Sequence, residues 1–266
     1  MNKASAAWSE LQAMEELAAG DSFIHRLHPL IKLLVTIAYI LVTVSFPKYN
    51  LSGIVVMVLF AVLGFQLSGI PVKTCFHKLR YILPLVMAVG IVNPFLDKAP
   101  LLYVGGTAIS GGMISMITLM CKGVFSLMAS FLLIATTKVD ALCAALRKLH
   151  VPDILVTLFL LTYRYISVMV EQVSIMTEAY ALRAPGQKGI HISAWGSFLG
   201  QLLLRSMDRA SELYQSMQLR GFCGEFYYAE VKRIDAKDIA YAAVCLALFF
   251  AARYFDLAMM LGNLFV

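Results

Sequence analysis

Leu30–Phe46 reads LIKLLVTIAYILVTVSF and holds one charged residue, Lys32. His28-Pro29 opens the stretch and Pro47 closes it. A membrane-crossing helix needs about 20 mostly apolar residues, with a range of roughly 17–25. The stretch is therefore read as a span, with Lys32 near its start expected to snorkel to the interface. Leu51–Ser68, LSGIVVMVLFAVLGFQLS, follows after only Pro47-Lys48-Tyr49-Asn50. So short a linker predicts an antiparallel helical hairpin.

Working outward, a third span is expected at about Leu79–Leu96, kinked or cut short by Pro84 and Asn93-Pro94. A fourth runs over about Gly112–Thr136, entered from a Gly-rich loop around Gly105-Gly106 and Gly111-Gly112. A fifth covers about Ile239–Leu264, where Arg253 and Asp256 stand three apart and can share a helix face. The whole chain agrees with this reading. Of its 266 residues 60% are hydrophobic and 14% charged, and the mean hydropathy is +0.78. A soluble domain averages about 45–50% apolar and about 25% charged residues. An ordinary soluble enzyme, a disordered chain and a disulfide scaffold are therefore excluded.

Loop charges orient the spans. Arg26 and Lys32 flank the first, Lys73, Lys78 and Arg80 lie between the second and third, and Lys138, Arg147 and Lys148 follow the fourth. The alternate loops hold only Lys48, and Asp97 with Lys98. The positive-inside rule then puts the N-terminus in the cytoplasm and the C-terminus outside. It also accounts for the net charge of +6, so nucleic acid is not expected as a partner. The first apolar run follows about thirty mixed residues, and a secretory signal peptide is not expected.

Between Lys138 and Asp235 the composition changes: 20 of the chain's 38 acidic and basic residues fall here. Three helices are read. Val139–Leu149 is short and amphipathic. Asp153–Arg183 is long, with Asp153 as N-cap and Ala184-Pro185-Gly186 as a stop. Ser193–Arg220 has Ser193 as cap and Gly221 after its last turn. In the third helix Trp195, Leu199, Leu202, Met207, Ala210, Leu213, Tyr214 and Met217 form a stripe at helical spacing. Such a helix can lie in the interface, pack on a like helix, or offer a face to a soluble partner. Ile154–Val170 is apolar enough to cross, but Arg164 would sit at bilayer centre at a cost of about 2.5–3.5 kcal/mol. A helix at the cytoplasmic boundary is preferred; a sixth span would move the C-terminus across the membrane.

Two helix ends are alike. Glu178-Ala179-Tyr180-Ala181-Leu182-Arg183-Ala184-Pro185-Gly186 ends one long helix and Ser216-Met217-Gln218-Leu219-Arg220-Gly221-Phe222-Cys223-Gly224 the next. Between them runs Gly200-Gln201-Leu202-Leu203-Leu204-Arg205-Ser206-Met207-Asp208-Arg209-Ala210, and near the N-terminus Asp21-Ser22-Phe23-Ile24-His25-Arg26-Leu27-His28-Pro29-Leu30. These segments resemble the transmembrane T component of energy-coupling factor (ECF) transporters, in its cobalt-type CbiQ branch. The resemblance implies an all-α integral membrane protein of about five transmembrane helices plus a cytoplasmic coupling domain of long amphipathic helices. Its divisions would be 1–29, a cytoplasmic N-terminal segment; 30–137, spans one to four; 138–236, the coupling domain; and 237–266, the last span. It implies a multi-pass protein of the cell membrane. Its partners would be two ABC-type ATPase subunits and a membrane substrate-binding S component, with a small accessory membrane subunit as a further one. Arg183, Ala184, Gly186 and Leu219, Arg220, Gly221 would be the ATPase-coupling residues. The second motif has Leu219 where the family pattern has Ala, and the first has Pro185 where many relatives have Arg. ATP would be bound by the partners, this chain holding no cofactor, and the cargo would be cobalt or nickel.

The remaining residues point to no covalent chemistry. The glycine pairs lack the Lys-Ser/Thr of a Walker A loop, and neither HExxH nor GxSxG occurs. His25 and His28, three apart, make a poor metal site without a third ligand. Asp208 and Glu212 interleave with Arg205 and Arg209 as a solvated ion-pair face. Cys75, Cys121, Cys143, Cys223 and Cys245 contain no CxxC pair and are read as apolar fillers. Lys122, inside the fourth span, is either functional or bound to a carbonyl. A stand-alone secondary transporter or channel, the competing reading, needs buried polar groups in its spans. Only Lys122, Asn93 and the Arg253/Asp256 pair are on offer.

Overall fold

The computed structural model describes residues 3–47, 51–80, 82–96, 100–104, 107–187, 189–224 and 234–254. The chain is an all-α membrane protein with one small β hairpin. It divides into two compact units, Leu17–Lys138 with Lys232–Val266, and Met1–Glu16 with Val139–Val231.

The first unit holds α2 (Phe23–Arg26), α3 (Pro29–Ser45), α4 (Leu51–Ser68), α5 (Val72–Leu79), α6 (Leu83–Leu96), α7 (Gly111–Thr136) and α11 (Ala236–Tyr254). Its core forms where α3, α4 and α11 meet. Tyr39 is fully buried; its ring lies 4.6 Å from Phe60 and 5.4 Å from Phe249. The Tyr39 hydroxyl donates to the Met57 carbonyl at 3.0 Å, satisfying the one polar atom this ring brings inside. Residues on the other side of α3 (Leu34, Ile37, Leu41 and Val44) are exposed in a stripe at helical spacing, as a lipid-facing surface requires.

Glycines set the closest helix approaches. A Cβ on Gly64 would come within 2.5 Å of Leu132 on α7, and one on Gly123 within 2.6 Å of Val86 on α6. Without a hydrophobic drive in lipid, helices associate through such close packing of small residues.

Lys32 does not snorkel. It is 6% exposed and donates to the Thr136 carbonyl at 2.7 Å and the His25 carbonyl at 3.2 Å. Thr136 ends α7 and its carbonyl lacks an intrahelical donor, so an ammonium there satisfies both partners. Lys122 does the same in reverse. From α7 its Nζ donates to the Val44 carbonyl at 3.0 Å and to the Phe46 carbonyl, the open end of α3. Of its two readings, the bond to carbonyls is the one observed.

The start of α3 gathers further ends. His28 is the N-cap of α3, its Nδ1 accepting from the Leu30 N–H at 3.1 Å. The His28 N–H donates to the Asp238 carboxylate at 3.0 Å. The second oxygen of Asp238 accepts from the Asp235 N–H at 3.0 Å, one of the two bonds of a capping box, at the start of α11. His25 lies on α2, with Ser22 at 2.7 Å and the Leu17 carbonyl at 2.9 Å. The two histidines thus belong to different elements and share no helix face. Arg253, at the other end of α11, lies 5.6 Å above the Phe46 ring. Hence α11 runs parallel to α3, and the end of α7 and the start of α11 both lie beside the start of α3.

Two local expectations change. Pro84 falls in the first turn of α6, where a missing N–H costs nothing, and α6 continues past Pro94 to Leu96. The expected Gly-rich loop forms β1 (Pro100–Val104) and β2 (Thr107–Ser110), paired antiparallel with an irregularity between Pro100 and Leu102. The Asp256 partner expected for Arg253 lies outside the described residues.

The second unit holds α1 (Lys3–Ala18, through Glu16), α8 (Val139–Lys148), α9 (Asp153–Arg183), a 3₁₀ turn (Ile192–Ala194) and α10 (Trp195–Leu219). The caps differ from those expected. Asp153 is already helical, and its carboxylate pairs with Arg147 at 2.6 Å across the α8–α9 turn. His191, not Ser193, caps the 3₁₀ turn by accepting from the Ser193 N–H. On α10 the inward stripe is Phe198, Leu202, Leu213 and Met217, while Leu199, Met207 and Tyr214 are exposed. The apolar surface exceeds what its neighbours cover.

Candidate functional site

The candidate site is the pair of helix ends at Arg183 and Arg220. At the end of α10 the Gly221 N–H donates to the Gln218 carbonyl at 3.0 Å and the Phe222 N–H to the Met217 carbonyl at 3.0 Å. Gly221 has φ +80°. These two bonds and the left-handed glycine make a Schellman ending. The two residues that make the usual apolar contact of this motif, Phe222 and Met217, line one cavity. The order Arg-Gly-Phe thus follows from the turn: glycine reverses the chain, Phe222 anchors the return, and Arg220 stands exposed at the end.

The end of α9 reaches a similar result by other means. The Ala184 N–H donates to the Tyr180 carbonyl at 3.0 Å, and the Gln187 N–H to the Ala184 carbonyl at 3.3 Å. Ala184-Pro185-Gly186-Gln187, with Gly186 at φ +95°, has the residues and the positive φ of a type II turn. Pro185 is therefore the turn's second residue. The Tyr180 hydroxyl donates to Gln187 Oε1 at 3.0 Å and accepts from the His191 N–H at 3.3 Å. It ties the following loop to the helix that carries Arg183.

Both arginines are exposed, and among the described residues neither guanidinium meets an acceptor. Each stands next to a bare leucine, Leu182 at 84% and Leu219 at 89% exposure. A cationic fork beside an aliphatic side chain at a rigid helix end suits an acidic groove with an apolar floor.

α9 and α10 lie antiparallel. Arg205 donates to Gln172 Oε1 at 2.9 Å. An apolar cavity of about 470 Å³ runs between them, bounded by Ile154, Leu158 and Tyr165 on one side and Leu213, Met217 and Phe222 on the other. The Arg220 end therefore lies near the start of α9, and the Arg183 end is about 40 Å away at 1.5 Å per helical residue. The carboxylates of α10 belong to its charged face, with Arg209 and Glu212 3.7 Å apart. Burial, aided by Asp140, pushes the Cys143 thiol on α8 up to about 11, which makes it a poor nucleophile or ligand. Among the described residues no three His, Cys, Asp or Glu side chains group as a metal site would need.

Sequence reasoning placed both arginines and both glycines at helix ends, where the structure has them, but did not single out Phe222, Tyr180 or the Asp238 cap of α11. Asp-x-x-Asp before an apolar run was the available signal for the last.

A bundle of apolar helices carried with a unit of amphipathic helices, two of them ending in matched cationic tips, defines a polytopic membrane component of a transport system. The family model for CbiQ, a cobalt transport protein, matches residues 20–228, and the chain belongs to that family. It is 25% identical over 257 residues to the energy-coupling factor transporter transmembrane protein EcfT of Limosilactobacillus fermentum, covering 88% of this chain and 94% of that one. EcfT of Bacillus selenitireducens is 26% identical over 220 residues, 77% and 81% of the two chains. The nickel permease LarQ of Lactiplantibacillus plantarum is 30% identical over 103 residues, 39% and 38% of the two.

Proposed function

We propose that this chain is the coupling subunit of an ECF-type importer. It passes ATP-driven motion of two ATPase subunits to a membrane subunit that holds the cargo, cobalt or nickel, and does no covalent chemistry itself. The observation that carries this reading is the pair of glycine-ended helices with Arg183 and Arg220 exposed at opposite ends of an antiparallel pair. One rigid body with two such tips can engage two motor subunits at once. The cargo rests on the family's cobalt description and on the nickel permease among the relatives.

A cytoplasmic position for residues 138–236 is part of the proposal. Its support is that α7 ends and α11 begins beside the same end of α3. The intervening segment then crosses the bilayer an even number of times or not at all. Among the described residues of this segment α9 alone is long and apolar enough to cross, but α10, with Arg205, Asp208, Arg209 and Glu212, is a poor partner for a second crossing. The competing secondary-transporter reading loses Lys122, whose ammonium is engaged by the end of α3.

Arg220→Glu reverses the charge at one tip without touching the Schellman bonds. Membrane insertion is expected to be normal, while ATPase co-purification and metal uptake are lost. Arg183→Glu is expected to act in the same direction. Wild-type assembly and uptake in both variants would end the proposal.

A further inference from the structure

The Arg253 end of α11 carries chemistry that the coupling role does not use. A cavity of about 490 Å³ lies there, lined by Leu41, Val42, Ser45, Phe250, Arg253 and Tyr254. Among the described lining residues Arg253 is the one cation, resting on the Phe46 ring, and none is a carboxylate. Lys122 adds a second positive charge on the Phe46 carbonyl. Leu41 of the cavity lining also belongs to the exposed stripe of Val44, Leu41, Ile37 and Leu34, and Phe250 is exposed as well. Along α3 that stripe is about 15 Å long at 1.5 Å per residue, a surface for an acyl chain below a charged head. Phe250 and Tyr254 stack at 6.4 Å, and aromatic residues at a span's end are typical of the headgroup level.

We propose that this cavity binds the phosphodiester of one anionic phospholipid, with Arg253 as its ligand and the α3 stripe seating one chain. Arginine presents a planar fork matched to two phosphate oxygens. No described lining residue is acidic, so none of them can receive a choline or ethanolamine ammonium. The site therefore favours a glycerol headgroup. The proposal rests on the membrane class of the protein and not on its coupling role.

Full-length protein in mild detergent is examined by native mass spectrometry with phosphatidylglycerol, phosphatidylethanolamine or inorganic phosphate added. The wild type is expected to retain one phosphatidylglycerol in preference to phosphatidylethanolamine, with millimolar phosphate failing to displace it. Arg253→Gln should lower retention by about tenfold or more, the worth of one charge-assisted hydrogen bond, and Arg253→Lys by less. Leu41→Asp puts a carboxylate in the wall and leaves Arg253 in place. It should give a similar loss and decides the matter if Arg253→Gln fails to fold. Equal retention in the variants, equal binding of both lipids, or displacement by phosphate would overturn the proposal.

Discussion

The proposed role of Arg220 depends on the turn behind it. Gly221 sits at φ +80°, where a side chain costs about 1–2 kcal/mol. Gly221→Val is therefore expected to fray the last turn of α10 and weaken ATPase co-purification while Arg220 itself is intact. Hydrogen exchange of the Gly221 and Phe222 amides would measure the fraying. At the other tip Tyr180→Phe removes one donor and one acceptor from the following loop, and exchange should rise at His191 and leave α9 protected. A third residue-scale effect concerns acid. Arg26 holds the exposed Asp21 carboxyl below its ordinary value, first by hydrogen bonding and then by charge. Its contribution is thus complete above the ordinary carboxylate pKa and fades as pH falls through the lowered one. An Asp21→Asn chain should show no such loss on acidification, as followed by the thermal midpoint at stepwise lower pH.

At the scale of elements, glycine placement governs how α6 and α7 meet. Gly123→Leu would drive a side chain into Val86, since even a Cβ comes within 2.6 Å. Overpacking of this kind costs about 1–3 kcal/mol. Val86→Ala in the same chain should recover part of the loss, a coupling that a double-mutant cycle of thermal midpoints reads directly. The elements themselves were largely legible. Apolar runs with at most one charge gave α3, α4 and α7 within a residue or so, and Asp153 with the Ala184-Pro185-Gly186 stop bounded α9. The arginine tips were legible because Gly221 and Gly186 mark helix ends. Contacts distant in sequence were not. Nothing local to Lys32 says that Thr136 ends a helix beside it, and nothing local to Asp238 points to His28. The inward face of α10 was misjudged for a related reason: its apolar residues outnumber the neighbours that cover them, so periodicity could not choose between Phe198 and Leu199. Pro84 misled because a proline is neutral in a first turn and disruptive in a third, and the start of α6 was placed too early.

For the whole molecule, the proposed orientation has a direct test in a native residue. Cys223 is exposed, two residues beyond Gly221. A membrane-impermeant thiol reagent is expected to leave it unlabelled in intact cells and to label it once the envelope is opened; labelling from outside would reverse the orientation. The two tips also differ in construction, one closed by a Schellman bond pair and the other by a proline turn, so two identical ATPase subunits would meet unlike seats. The lysines bound to the ends of α3 and α7 have a mechanical consequence. They tie an antiparallel couple at two separated points, each clasp made by one helix on the other's terminus. Axial slippage by a single residue, 1.5 Å, would stretch both ties together. The couple can tilt or roll as a strut, but shear between its members is locked out, and any power stroke delivered to this bundle has to be absorbed along some other seam.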